Sequence, residues 1–171
     1  MSMNRAFIEE LTNEAKSTRK LLAIVPYEHF GWKPHEKSMS LGMLATHIAN
    51  LTGWPQYTID TDGLDLATMP KGELPVSTQE LLDIFDSNLE KSLSSLETAT
   101  DEQMMKNWKL SKGSHVILDL PKVQVLRAMC FNHVIHHRGQ LTVFLRLLNV
   151  PIPGVYGPSA DDVAAMAAAA N

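Results

Sequence analysis

The chain reads as an all-α protein, a four-helix bundle built as one domain across residues 1–171. Two observations predict this. Four long stretches carry apolar residues at steps of three and four, the spacing that places them on one face of a helix. Breakers and hydroxyl residues bound those stretches where helices start and stop. Amphipathic helices bury their apolar faces against one another, and four in a chain of this length make a bundle.

The first helix is expected from about Asn4 to Ile24. Phe7, Leu11, Ala15, Thr18, Leu21 and Leu22 share one side, while Glu9, Glu10, Glu14, Lys16 and Arg19 take the other. Pro26 stops it. A loop rich in breakers and aromatics follows, YEHFGWKPHEKSMS. The second helix starts near Ser40 as N-cap and carries Leu44, His47, Ile48, Leu51 and Trp54 on its apolar line. Pro55 kinks it or ends its regular part.

The segment from Thr61 to Val76 shows no periodicity. It is long enough for a crossover that lets the second and third helices run parallel. The third helix opens on Ser77-Thr78-Gln79-Glu80, a capping-box pattern. Its buried stripe is Leu81, Ile84, Phe85, Leu89, Leu93 and Leu96. Thr100 is placed to cap a short extra helix running through Trp108. KLSKGSHVILDL alternates weakly and turns at Lys112-Gly113, as a small hairpin or an ordered loop would.

The fourth helix is the longest, with Pro121 in its first turn and Pro151 just past its end. One face reads Leu126, Met129, Cys130, His133, His137, Leu141, Phe144 and Leu148. The Ala-rich end, residues 163–171, is too short for a helix that is stable alone.

Composition narrows the function classes. Hydrophobic residues make up 44% of the chain and charged residues 20%, the balance of an ordinary globular domain. The net charge is -4 and no Lys/Arg stripe exists, so no nucleic-acid partner is expected. Apolar runs fall short of the roughly 20 residues that span a bilayer, so no membrane partner is expected either. Cys130 is the single cysteine, which rules out an intrachain disulfide. The opening MSMNRAFIEELTNEAK has no apolar core of a secretory signal. The expected location is cytoplasmic.

Three of the seven histidines lie on apolar stripes. His133 and His137 are four residues apart, so on a helix they project from one face, one turn apart. His47 follows Leu44 by three. Three imidazoles converging in the bundle suit zinc, nickel, copper or iron, and leave coordination positions open. A lone histidine on such a stripe is more often a hydrogen-bonded core residue. Burying several is costly unless something satisfies their nitrogens, and a metal would. The zinc-protease helix motif is excluded, because it needs Glu directly after the first histidine and Val134 stands there.

His136 points about 100° away from His137 and reads as an outer or packing residue. Gly139 in mid-helix is expected to permit a close helix approach or access to the metal. Arg138 is placed to hold an anion or pair with a carboxylate. Cys130 reads as a small buried residue before a thiolate ligand. His29, His35 and His115 fall in loops. Trp32 and Trp54 are candidates for a pocket mouth.

At these residues the chain resembles the DinB/YfiT-like superfamily of metal-binding four-helix bundles. The matching segments are VPYEHFGWKP, MSLGMLATHIANLTGW and FNHVIHHRGQLTVFLRLLNVPIPGVYGPSADD. The resemblance implies one divalent metal held by His47, His133 and His137, with zinc or nickel foremost and iron, copper or manganese as alternatives. It implies an up-down-down-up bundle and frequent homodimers. It implies thiol-dependent transferases, working with a low-molecular-weight thiol on a small-molecule substrate, or metal-dependent hydrolases. The alternative to an enzyme is a metal-stabilised stress-response or interaction module.

Overall fold

The computed structural model describes residues 2–70 and 72–170, so Met1, Lys71 and Asn171 of the expected domain lie outside the described residues. The first helix, α1 (Met3–Ala23), buries Phe7, Leu11, Ala15, Thr18, Leu21 and Leu22, the residues its periodicity selects. Ser40 accepts a 3.2 Å hydrogen bond from the Met43 N–H and starts α2 (Leu41–Leu51). A cap of this kind contributes about 1 kcal/mol. The helix ends before Pro55, which sits in the first turn of a separate short helix, α3 (Trp54–Asp60). There its missing N–H costs nothing.

A three-residue strand, β1 (Gly63–Asp65), precedes the rest of the crossover into α4 (Thr78–Thr98). Ser77 accepts from the Glu80 N–H at 3.0 Å, and the Glu80 carboxylate reaches back to the Val76 N–H at 2.6 Å. Thr100 caps α5 (Asp101–Met104), a single turn that stops well before Trp108. Trp108 belongs instead to β2 (Asn107–Lys112), which turns at Gly113, φ 60°, into β3 (His115–Pro121). The expected hairpin therefore forms. α6 (Lys122–Val125), a π-helical turn at Leu126–Phe131 and α7 (Asn132–Leu147) make one continuous helix. The tail ends in α8 (Ala160–Ala169).

The expectation of a purely all-α bundle is corrected. The protein is mostly helical but carries a three-stranded sheet, β1 parallel to β2 and β2 antiparallel to β3. Three residues cannot display a period, so β1 exists only through its pairing with Lys109–Ser111. Gly63 allows the approach, since a Cβ there would lie 2.6 Å from the Lys109 carbonyl oxygen. The sheet has its own small core of Trp108, Leu110 and Val125. Trp108 is 0% exposed, and its indole N–H donates to the Thr61 hydroxyl at 3.0 Å.

Cross-helix hydrogen bonds give the helix directions. Asn4 reaches Leu96 while Arg19 reaches Asp86, so α1 and α4 are antiparallel. Asn88 reaches Ala49 and Ser92 reaches Thr52, so α2 and α4 run the same way across the crossover. One apolar cluster joins Leu22, Leu44, Ile48, Phe85, Leu141 and Leu145. A second joins Phe7, Leu11, Leu96, Leu126, Cys130 and Phe131. Among the described residues no helix is long and apolar enough to cross a membrane.

Candidate metal centre

His47 projects from α2, and His133 and His137 project from α7, where those two helices pack. Their ring centroids stand 5.1 Å (His47–His133), 4.7 Å (His47–His137) and 4.7 Å (His133–His137) apart. One nitrogen of each lies within 4.8 Å of the others. The structure thus brings together the three histidines the sequence singles out.

The stripe on which they sit differs from the expected one. Leu126 and Phe131, both buried, are five residues apart, the interval a π-helical turn produces. After that turn the buried line runs Phe131, Val134, Arg138, Leu141 and Leu145. Met129, Phe144 and Leu148 become half-buried. His133 and His47 are half-buried as well, and His137 is 8% exposed. The triad therefore lies at the margin of the core rather than inside it.

Nε2 of His47 and Nε2 of His133 are 3.4 Å apart. Two metal–nitrogen bonds of about 2.05 Å at a tetrahedral angle would separate their nitrogens by about 3.3 Å. The His137 Nδ1–H donates to the Gln140 side-chain oxygen at 2.7 Å, which leaves Nε2 as the ring nitrogen with a free lone pair. Burial lowers the His47 imidazole to about 4, with His137 and then His133 adding to the shift. Burial also lowers His133, followed by the influence of His137 and His136. Neutral imidazoles are the form that binds a metal. The His47–His133 spacing and the lowered basicity of those two rings fit a divalent ion, with His137 close by as the third donor.

The other candidates fall outside the cluster. His136 is exposed, with its ring 4.8 Å from that of His137. Cys130 is buried in the second apolar cluster, and burial pushes its thiol up to about 12. That keeps it a thiol and inert. Arg138 is 2% exposed and pairs with the Glu14 carboxylate at 2.5 Å. It also donates to the Tyr156 hydroxyl at 2.7 Å, and that hydroxyl donates to Glu14 at 3.0 Å. This arginine holds α1, α7 and the tail together and holds no free anion. Gly139 meets nothing within 4 Å of an added Cβ, so close helix packing does not explain it.

Trp32 packs edge-on against Phe144 at 5.7 Å. Trp54 lines a cavity with Tyr57, as a pocket residue would. Two features escape the sequence reading. Gln140 orients His137, and its i+3 spacing is a visible but common signal. A cavity beside His47, roofed by the crossover, has no local signal.

A model of the DinB family matches residues 1–169. The uncharacterized protein YrdA of Bacillus subtilis (strain 168) is 25% identical over 159 residues, covering 91% of this chain and 89% of YrdA. Two crystal structures share the fold. A DinB-like protein from Bacillus cereus ATCC 10987 has a TM-score of 0.67 at 24% identity, over 89% of this chain and 97% of its own. The DinB-like protein YjoA of Bacillus subtilis has a TM-score of 0.66 at 22% identity, over 86% and 95%.

Proposed function

This chain belongs to the DinB family, and from that premise we propose that it is a metal-dependent enzyme of the thiol-transferase type. One divalent ion, zinc or nickel foremost, is held by His47, His133 and His137. The observation that carries this reading is the convergence of three imidazoles at the edge of the core with no fourth His, Cys, Asp or Glu donor in the group among the described residues. Three protein ligands with open positions are the mark of a reactive site, whereas structural zinc sites are closed by four.

A divalent ion held by His47, His133 and His137 would supply Lewis acidity, lowering the pKa of a thiol or water at its open positions. The chain's own groups prepare the site. Burial favours the unprotonated His47 and His133 imidazoles, and Gln140 fixes the face that His137 presents. In the transfer itself a thiol gives its proton to water, its sulfur bonds to an electrophilic carbon, and the leaving group departs with the electron pair of the bond that breaks. Hydrolysis is the same site working with water in place of the thiol.

The second reading is a metal clasp without catalysis, supported by the fact that the triad spans two helices, α2 and α7. Two measurements separate the readings. Metal content of untagged wild type against His133→Ala tests the ligands, and equal content in both removes the centre. A panel of thiols with electrophiles tests the chemistry, and a metal-loaded protein that is inert and binds no thiol leaves only the clasp.

A further inference from the structure

Beside His47, α2 presents Met43, Thr46 and Asn50 at steps of three and four. The crossover brings Glu73 and Leu74 over them, enclosing a cavity of about 270 Å³. Asn50 and Gly72 also line a neighbouring cavity of about 240 Å³, whose walls include Trp54, Tyr57 and Met69. The two form one groove that begins at an imidazole of the triad and passes Asn50 to reach an aromatic end.

The polar groups in this groove are few. The Thr46 hydroxyl is buried, in a residue 8% exposed, and has no hydrogen-bond partner among the described residues. Glu73 makes no ion pair with a described residue. It is also the one charged side chain among the described residues lining either cavity.

Building on the metal-centre reading, we propose that this groove binds the substrate and that the substrate is an organic amine. Its ammonium group meets the Glu73 carboxylate, and its apolar body lies against Met43, Leu74 and the aromatic end. The chemistry of the walls is matched to such a compound. Thioether and aliphatic surfaces take an apolar body of variable shape. Trp54 and Tyr57 add aromatic surface for the far end of that body. A carboxylate ligand would meet Glu73 as a like charge. Asn50, which lines both cavities, supplies a hydrogen-bonding amide midway along the groove.

The test is calorimetric titration of the full chain, both chelator-treated and zinc-loaded, with 2-phenylethylamine, 2-phenylethanol and 3-phenylpropionate. The amine is expected to bind and the carboxylate to bind at least about fivefold more weakly, the discrimination a partly exposed ion pair gives. Glu73→Gln, an exposed change that leaves the helices intact, is expected to reduce the amine to the affinity of the alcohol. Failure of the amine to bind overturns the proposal. Equal or tighter binding of the carboxylate does so too, as does an unchanged amine affinity in Glu73→Gln. Zinc titration of the same protein reports separately on the metal centre. Amine binding without zinc binding removes the centre and leaves the groove, and zinc binding without charge preference removes the groove alone.

Discussion

The His137 Nδ1–H···Gln140 hydrogen bond, at 2.7 Å, does two things at once. It selects the tautomer whose Nε2 faces the other rings, and it fixes the ring plane against rotation. Gln140 is itself exposed and packs against little, so its removal should leave the fold intact. Gln140→Leu is expected to weaken metal binding about 10–100-fold, the usual cost of losing such a support. Competition with a chelating dye measures it, and an unchanged affinity would mean that the ring is held by packing alone. His133 and His137 are legible from spacing, because an i,i+4 pair is a local geometric fact, and His47 from its place on the apolar line of its helix. Gln140 was visible at i+3, but glutamine at that spacing is common and only the distance selects it. Thr46 and Glu73 were not legible as neighbours, since nothing periodic in the chain between them records the path of the crossover.

Among the elements, the helices that carry the triad were legible and their phase was not. The π-helical turn at Leu126–Phe131 adds a residue to one turn, and periodicity counted at 3.6 residues runs straight through it. The tail shows the converse case. Ten residues of Ala-rich helix are marginal alone, yet α8 is held by contacts its own composition does not reveal. Ser159 and Asp162 form a capping box, Asp162 also accepts from the Gly154 N–H, and Asp161 binds Arg146 and the Ile152 N–H. Arg146 and then the Ile152 N–H hold the Asp161 carboxyl below its usual value of 3.8, and the Ser159 and Gly154 N–H groups do the same for Asp162. Both are lower folded than unfolded, so their contribution is complete above 3.8 and lost as pH falls through the lowered values. The amide NMR signals of Ile152 and Gly154, followed from pH 6 to 2, should shift with midpoints below 3.8. Midpoints at 3.8 would show that the carboxylates do not anchor the tail.

Across the whole molecule, the triad ties α2 to α7, two helices far apart in the chain, and an ion that binds only the folded arrangement stabilises it by mass action. At a free metal concentration of 100 times Kd this amounts to about 2.7 kcal/mol. For a domain of this size that raises Tm by about 5–11 °C. Zinc addition to chelator-treated wild type is therefore expected to raise Tm by that order, and to leave His133→Ala unmoved. The pH dependence follows from the imidazoles. His47 titrates near 4 when folded and near its ordinary 6.5 when unfolded, so the unfolded chain takes up the proton first. Stability of the metal-free protein is then complete above 6.5 and declines as pH falls from 6.5 towards 4. The increment from zinc should shrink as pH falls further, because protons displace metal once they reach the ligand nitrogens, and the buried His47 and His133 rings resist protonation to a lower pH than a free imidazole would. Melting curves with zinc or with chelator, from pH 7.5 to 4, measure both slopes. A zinc increment that collapses already at 6.5 would show rings that titrate like free imidazole, in contact with water rather than held neutral at the edge of the core.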